Sequence, residues 1–206
     1  MRQHAGLLII ISSPSGGGKD SVINALLKRF PHSTRCVTTT SRSPRPGNED
    51  GKDYYFVSRP EFEKKIAAGE LVEYNVYAGN YYGTERQHLD RLLAAHPIVF
   101  TQIEVNGKHN LDKLGIPHLA IFLLPRNWEI LRERIARRGG LTPEDIAKRL
   151  EIAHQEVAAS SDYDHRLVNT EGRLEQTVQT VAKIIECHLA ASSRRVPELD
   201  KKPHLS

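Results

Sequence analysis

Residues 13 to 21 read Ser13-Pro-Ser15-Gly16-Gly17-Gly18-Lys19-Asp20-Ser21. Consecutive glycines let backbone N–H groups turn toward one anion without Cβ clashes. A lysine closing the run adds a mobile positive charge, and the spacing is close to the phosphate-loop pattern G-x-x-x-x-G-K-[ST]. Such residues suit the phosphates of a nucleoside triphosphate. Two letters depart from the pattern. Ser13 stands at the first glycine, and Asp20 at the hydroxyl residue that ordinarily ligates Mg2+. Asp20 offers an oxygen ligand to a hard cation but carries negative charge toward the phosphates. Ser21 offers a hydroxyl instead, so the metal ligand stays open between Asp20 and Ser21.

Two further groups of cations follow. Arg42-Ser-Pro-Arg45-Pro-Gly47 sets two guanidinium forks on a loop stiffened by Pro44 and Pro46, which can clamp a monophosphate bidentately. Tyr54 and Tyr82 add hydroxyl donors nearby. Later come Arg126, Arg132, Arg134, Arg137 and Arg138, then Arg149; Arg134 and Arg138, four apart, share a helix face. Phosphoryl transfer asks mainly for positioning and charge neutralisation, which three separated cationic segments can supply. Each group alone also fits solvated surface.

The elements that must position these groups are legible as patterns. Residues 7–11 are apolar without interruption, as in a parallel strand buried on both faces. Val22, Ile23, Leu26, Leu27 and Phe30 then recur at helical spacing. Residues 98–100 and 119–124 are two more buried-strand candidates, and 166–169 a short one, with helical patterns between them. That alternation predicts βαβ units and a doubly wound α/β fold around a parallel sheet. Residues 36–85 differ: short strands at 37–40, 54–57 and 71–76, many turn residues, and six of the seven tyrosines. Residues 127–140 are helical and basic, and Thr142-Pro143 opens a helix that runs to about residue 159. A last helix is marked from Leu174 to Leu189. The expected organisation is a core of residues 1–35, 86–125 and 146–190, an inserted β-rich subdomain at 36–85, a helical lid at 126–145 and a mobile polar tail at 191–206.

The chain has 206 residues, 39% hydrophobic and 26% charged, as in a globular protein rather than a disordered one. Its net charge of +4 suits a polyanionic partner without choosing among polyanions. Cys36 and Cys187 are far apart, without metal-ligand spacing or a disulfide framework, which fits a reducing, cytoplasmic setting. The short apolar run at the start cannot span a membrane.

Through most of its length the sequence resembles guanylate kinases. The resemblance rests on Pro14-Ser-Gly-Gly-Gly-Lys19, Arg42-Ser-Pro-Arg-Pro-Gly47, Gly51-Lys-Asp-Tyr-Tyr-Phe-Val57, Gly79-Asn-Tyr-Tyr-Gly-Thr84, the basic stretch from Arg134 to Gly139, and Ile146-Ala-Lys-Arg149, in order between about residues 7 and 190. It implies a P-loop NTPase core and transfer of the γ-phosphoryl of ATP to GMP, and to dGMP, with Mg2+. ATP would be held by Ser15, Gly16, Gly17, Gly18, Lys19, Asp20, Ser21, Arg134 and Arg138. GMP would be held by Thr38, Arg42, Arg45, Tyr54, Glu73, Tyr82, Thr84 and Glu104. Catalysis would fall to Lys19, Arg42, Arg138 and Arg149. Glu73 would take the N–H edge of guanine, whose N1–H and N2–H2 donors suit a carboxylate. Neither nucleic acid nor membrane is an implied partner.

The sequence departs from the family pattern in the acceptor region. Thr38 stands for Ser, Glu104 for Asp, Gln102 for a second Asp and Asn48 for Glu. A related kinase with another monophosphate or a ribose bisphosphate as acceptor is therefore one alternative. A catalytically weak protein-binding module of the same fold is the other.

Overall fold

The computed structural model describes residues 6–77, 79–137 and 141–193. Its elements are β1 (Leu7–Ser12), α1 (Lys19–Arg29), β2 (Ser33–Arg35), β3 (Thr39–Thr40), β4 (Tyr55–Phe56), α2 (Arg59–Ala67), β5 (Leu71–Tyr77), β6 (Asn80–Glu85), α3 (Arg86–Ala95), β7 (Ile98–Thr101), α4 (Val105–Lys113), β8 (Leu119–Pro125), α5 (Trp128–Ala136), α6 (Pro143–Ala159), β9 (His165–Asn169) and α7 (Leu174–Ser193).

Five strands form a parallel sheet in the order β2-β7-β1-β8-β9. The uninterrupted apolar run of β1 follows from its central place. Ile9 and Ile11 face one core, with Val22, Ile23 and Leu26 of α1 and Val178, Val181 and Ile185 of α7. Leu8 and Ile10 face the other core, with Leu89 and Leu93 of α3 and Val105 and Leu111 of α4. Both faces of the strand are dry, so the pattern reads as continuous rather than alternating. This is the doubly wound α/β core that the sequence predicts.

A second sheet, β4-β3-β6-β5, lies in the expected insert and is separate from the first. Its β3–β4 pair is parallel; β3–β6 and β5–β6 are antiparallel. Helix α2 covers it with Phe62, fully buried and stacked on Tyr81 at 5.1 Å between ring centroids. The sequence reading omitted α2, although Ser58 and Glu61 form a complete capping box with proline in the first turn. It also omitted β2, three polar residues at the edge of the core sheet.

Other boundaries shift. Helix α7 continues to Ser193, so the start of the expected tail at residue 191 is helical; the rest of that segment lies outside the described residues. The lid boundary at residue 145 cuts through α6, where Ile146 and Leu150 pack with Leu131 and Ile135 of α5. The first half of α6 therefore belongs with α5. Among the described residues no helix is long and apolar enough to cross a membrane.

Candidate active site

The glycine-rich loop leaves the C-terminal end of β1 and runs into α1 with Gly18 as N-cap. Gly16 and Gly18 have φ of +85° and +88°, which other residues adopt only under strain. Gly17 is fixed by crowding: a Cβ there would lie 2.7 Å from Ser13 Oγ, so the serine at the first position fills the space above it. Two loop carbonyls are held from outside. Asn169 Nδ2 donates to Gly17 O at 2.8 Å, and Arg134 Nη1 to Gly16 O at 3.2 Å. Thr177 Oγ1 donates to Asn169 Oδ1, and Glu171 accepts from Arg134 Nη2 at 2.6 Å. The loop is thus shaped before any anion arrives, at a helix N-terminus whose dipole favours one.

Lys19 opens α1 and lines a cavity of about 620 Å3 that the parallel sheet, the insert and α6 enclose. Ser15, Asp20, Thr38, Arg42, Arg45, Tyr54, Glu73, Tyr82, Glu104 and Arg149 line the same cavity. Most of the predicted site is therefore one place in space. Ser21 is exposed and does not line it, which leaves Asp20 as the metal candidate that faces the cavity. Asp20 accepts from Arg35 Nη2 at 2.7 Å. Gln102, which also lines the cavity, has a buried Oε1 without a hydrogen-bond partner among the described residues. A carboxylate and an orphaned amide oxygen are hard donors that fit Mg2+ or its bound water.

The acceptor wall is built on β3, β5 and β6. Asn48 Oδ1 accepts from Arg42 Nη2 and from the Arg45 N–H, drawing the two arginines of the loop together. Arg42 Cζ lies 5.5 Å from the Tyr54 ring centroid, and Tyr54 meets Tyr82 edge-on at 5.8 Å. Glu73 is only 6% exposed. Thr84, its cross-strand partner, donates Oγ1 to Glu73 Oε1 at 2.6 Å. Thr84 does not itself line the cavity; its place is behind the carboxylate. Burial pushes the Glu73 carboxyl up to about 7, the Thr84 hydrogen bond opposes that shift, and the charge of Glu104 adds to it. Glu73 Oε2 rests against α4 where the chain has Gly107; a Cβ at Gly107 would come within 2.8 Å of that oxygen.

Glu104 is held by the Asn75 side-chain amide. Burial raises its pKa, and the nearby Lys19 charge lowers it. A third acid, Glu156 of α6, also lines the cavity; burial and then Glu104 raise it to about 7, against the pull of Lys19. Lys19 therefore sits among Glu104 and Glu156.

Arg134 stands apart from this cavity. With Gly17, Asn169, Thr170 and Ile130 it lines a second one of about 300 Å3, on the other side of the loop between α5 and the end of β9. Arg138 and the Gly139-Gly140 break lie outside the described residues.

Sequence reasoning missed Arg35, Asn75, Gly107, Glu156 and Asn169. Only Glu156 carries a local signal: with Arg149 and Ile152 it repeats at three and seven residues, one face of α6.

A phosphate loop on the central strand of a parallel sheet, facing an arginine- and tyrosine-lined acceptor wall, defines a P-loop phosphotransferase. The sequence matches the guanylate kinase family over residues 5–188. It is 39% identical over 180 residues to the guanylate kinase of a Synechocystis species, covering 87% of this chain and 93% of that one. It is also 39% identical over 197 residues to that of Lactobacillus johnsonii, covering 95% and 94%. The crystal structure of guanylate kinase from Anaplasma phagocytophilum superposes with a TM-score of 0.72 at 28% identity, over 90% of this chain and 87% of that one. The chain belongs to the guanylate kinase family.

Proposed function

We propose that this protein transfers the γ-phosphoryl of ATP to GMP, and in the same way to dGMP. The observation that carries the reading is one cavity lined by Lys19, by the buried carboxylate of Glu73, and by Arg42, Arg45, Tyr54 and Tyr82. A carboxylate matches the adjacent N1–H and N2–H2 donors of guanine, whereas adenine sets its single N6–H2 donor beside the acceptor N1, which a carboxylate repels. The guanidinium pair and the two hydroxyls suit the acceptor phosphate. The triphosphate lies in the glycine loop, and its base enters the smaller cavity beside Arg134 and Asn169. ATP and GMP then approach from opposite sides of Lys19.

In this arrangement the protein does little covalent chemistry. Lys19 neutralises the β and γ oxygens, Arg42 and Arg45 hold the acceptor phosphate, and Arg149, with Arg138, covers charge on the group in flight. Mg2+ would be held by Asp20, with Gln102 Oε1 accepting from a bound water, and would supply charge neutralisation of the phosphates. Thr38 and Glu104 complete the base end, and Thr84 keeps Glu73 turned toward it. Glu104 in place of an aspartate reaches one methylene further and is steadied by Asn75.

The insert at 36–85 and the lid side, α5 with the first half of α6, are the parts that bring acceptor and donor charges to Lys19. The reading needs no nucleic acid or membrane, and the free thiols of Cys36 and Cys187 suit the cytoplasm. A coupled assay with ATP against GMP, dGMP, AMP, UMP and ribose bisphosphate tests it. Turnover of GMP and dGMP well above the others is expected. A preference for ribose bisphosphate, or no turnover at all, overturns it.

A further inference from the structure

Strand β5 presents Glu73, Asn75 and Tyr77 to the cavity, alternate residues on one face of the strand. Glu73 is held by Thr84, and Asn75 holds Glu104. Tyr77 is tied differently. Its hydroxyl is buried and has no hydrogen-bond partner among the described residues. Its ring carries the contact instead: the guanidinium carbon of Arg149 lies 5.4 Å from the ring centroid.

That contact joins two separate bodies. Tyr77 ends β5 in the acceptor insert, and Arg149 lies in α6, beside the lid helix α5. Both line the cavity that holds Lys19. Attraction through the ring face uses none of the guanidinium's five N–H donors, so a ring-held arginine keeps them for phosphate oxygens. A carboxylate in the same place would hold the arginine by consuming those donors and would repel the phosphates.

We infer that Tyr77 is a positioning residue for phosphoryl transfer: its ring holds the Arg149 guanidinium in the cavity and ties the acceptor insert to the lid side. This rests on the reading of Arg149 as a phosphate-neutralising cation. The role belongs to the ring, because the buried hydroxyl has no hydrogen-bond partner among the described residues.

The test is steady-state kinetics with ATP and GMP on Tyr77→Leu, Tyr77→Phe, Arg149→Ala and the Tyr77→Leu/Arg149→Ala double variant. Tyr77→Gln serves as a second non-aromatic variant, and thermal unfolding checks that each is folded. The expectation for Tyr77→Leu and Tyr77→Gln is kcat lowered about 3- to 30-fold, with both KM values within about twofold. Tyr77→Phe should keep kcat within about twofold. In the Arg149→Ala background Tyr77→Leu should cost nothing further, because the partner is gone. A purely structural tyrosine would instead give additive losses. Additive losses, an unaltered Tyr77→Leu, or a Tyr77→Phe as impaired as Tyr77→Leu overturn the positioning role. If Arg149→Ala keeps full kcat, it is the reading of Arg149 that fails, a result distinct from the other three.

Discussion

Arg35 Nη2 lies 2.7 Å from Asp20 Oδ1, joining the edge strand of the core sheet to the first turn of the phosphate-loop helix. An aspartate there adds a negative charge where a triphosphate must bind, and Arg35 is the local answer to it. The Asp20 side chain is 57% exposed, so the pair adds little to folding stability. Its consequence is for nucleotide binding. Arg35→Ala should raise KM for ATP about 3- to 10-fold, and adding Asp20→Asn should recover much of the loss, because the uncompensated charge is then removed. Measuring KM at two salt concentrations checks this. An Arg35→Ala effect unrelieved by Asp20→Asn would mean that Arg35 acts on substrate directly and not through Asp20.

Lys19→Ala should leave the protein folded and lower kcat about 1,000-fold or more, in line with the loss of a group that stabilises transferring charge. Lys19 packs into neither core, so thermal unfolding should move little. Removing it also takes away the charge that pulls both Glu104 and Glu156 down, so both carboxyls should titrate higher in the variant. Near-normal turnover would remove the glycine loop from the phosphate site.

Gly107→Ala separates binding from stability. The added methyl would meet Glu73 Oε2 at 2.8 Å and Ile103 Cβ at 3.2 Å. The carboxylate is the end of a side chain and can give way, while alanine in the first turn of α4 gains up to about 1 kcal/mol over glycine. The melting temperature should therefore change little or rise, while KM for GMP rises about 10-fold or more as Glu73 is displaced. KM for ATP should stay put. A uniform loss for both substrates would indicate general disruption of α4 rather than a displaced base reader.

What the sequence makes legible follows from how locally each feature is specified. The β1 run and the glycine loop announce themselves because two-sided burial demands unbroken apolar residues and a phosphate cradle demands glycine at fixed offsets. The Arg42 and Arg45 loop and Glu73 are legible for a similar reason: paired guanidinium forks suit a phosphate and a carboxylate suits N–H donors, so residue type alone points to a chemistry. Asn169 is not, because it acts on Gly17, 152 positions away, and a lone asparagine carries no periodic mark. Arg35 sits in a three-residue polar strand that no hydrophobic pattern signals. Gly107 reads as an ordinary weak point in a helix until the carboxylate behind it is seen. Strands β3 and β4 are two residues each, shorter than their patterns suggest, although the flanking Thr38 C=O and Val57 N–H still hydrogen-bond across the pair.

With Glu73 as the proposed guanine reader, base binding should depend on pH. Burial pushes it from 4.5 up to about 7, with the Thr84 hydrogen bond opposing and Glu104 adding. The empty protein therefore holds this group partly protonated at neutral pH. Guanine presents two N–H donors, so on the proposed reading it selects the ionised form and GMP binding should expel the proton. Affinity for GMP should then rise with pH up to about 7 and level off above it. The phosphate of GMP titrates too, near ~6, but equally for any variant. The readout is thus the difference between the parent protein and Glu73→Gln, measured by calorimetry from about pH 5.5 to about pH 8.5. The parent should show the steeper rise, and Glu73→Gln should bind GMP about 30- to 4,000-fold more weakly at the plateau. Stability runs the other way. The folded chain holds this proton more tightly than the unfolded one, so stability falls as pH rises from 4.5 to about 7 and is flat beyond. Glu156, also raised to about 7, adds a slope of the same sign. Glu73→Gln should therefore flatten the stability profile while it weakens GMP. Parallel GMP profiles for the two proteins would remove Glu73 from the guanine site.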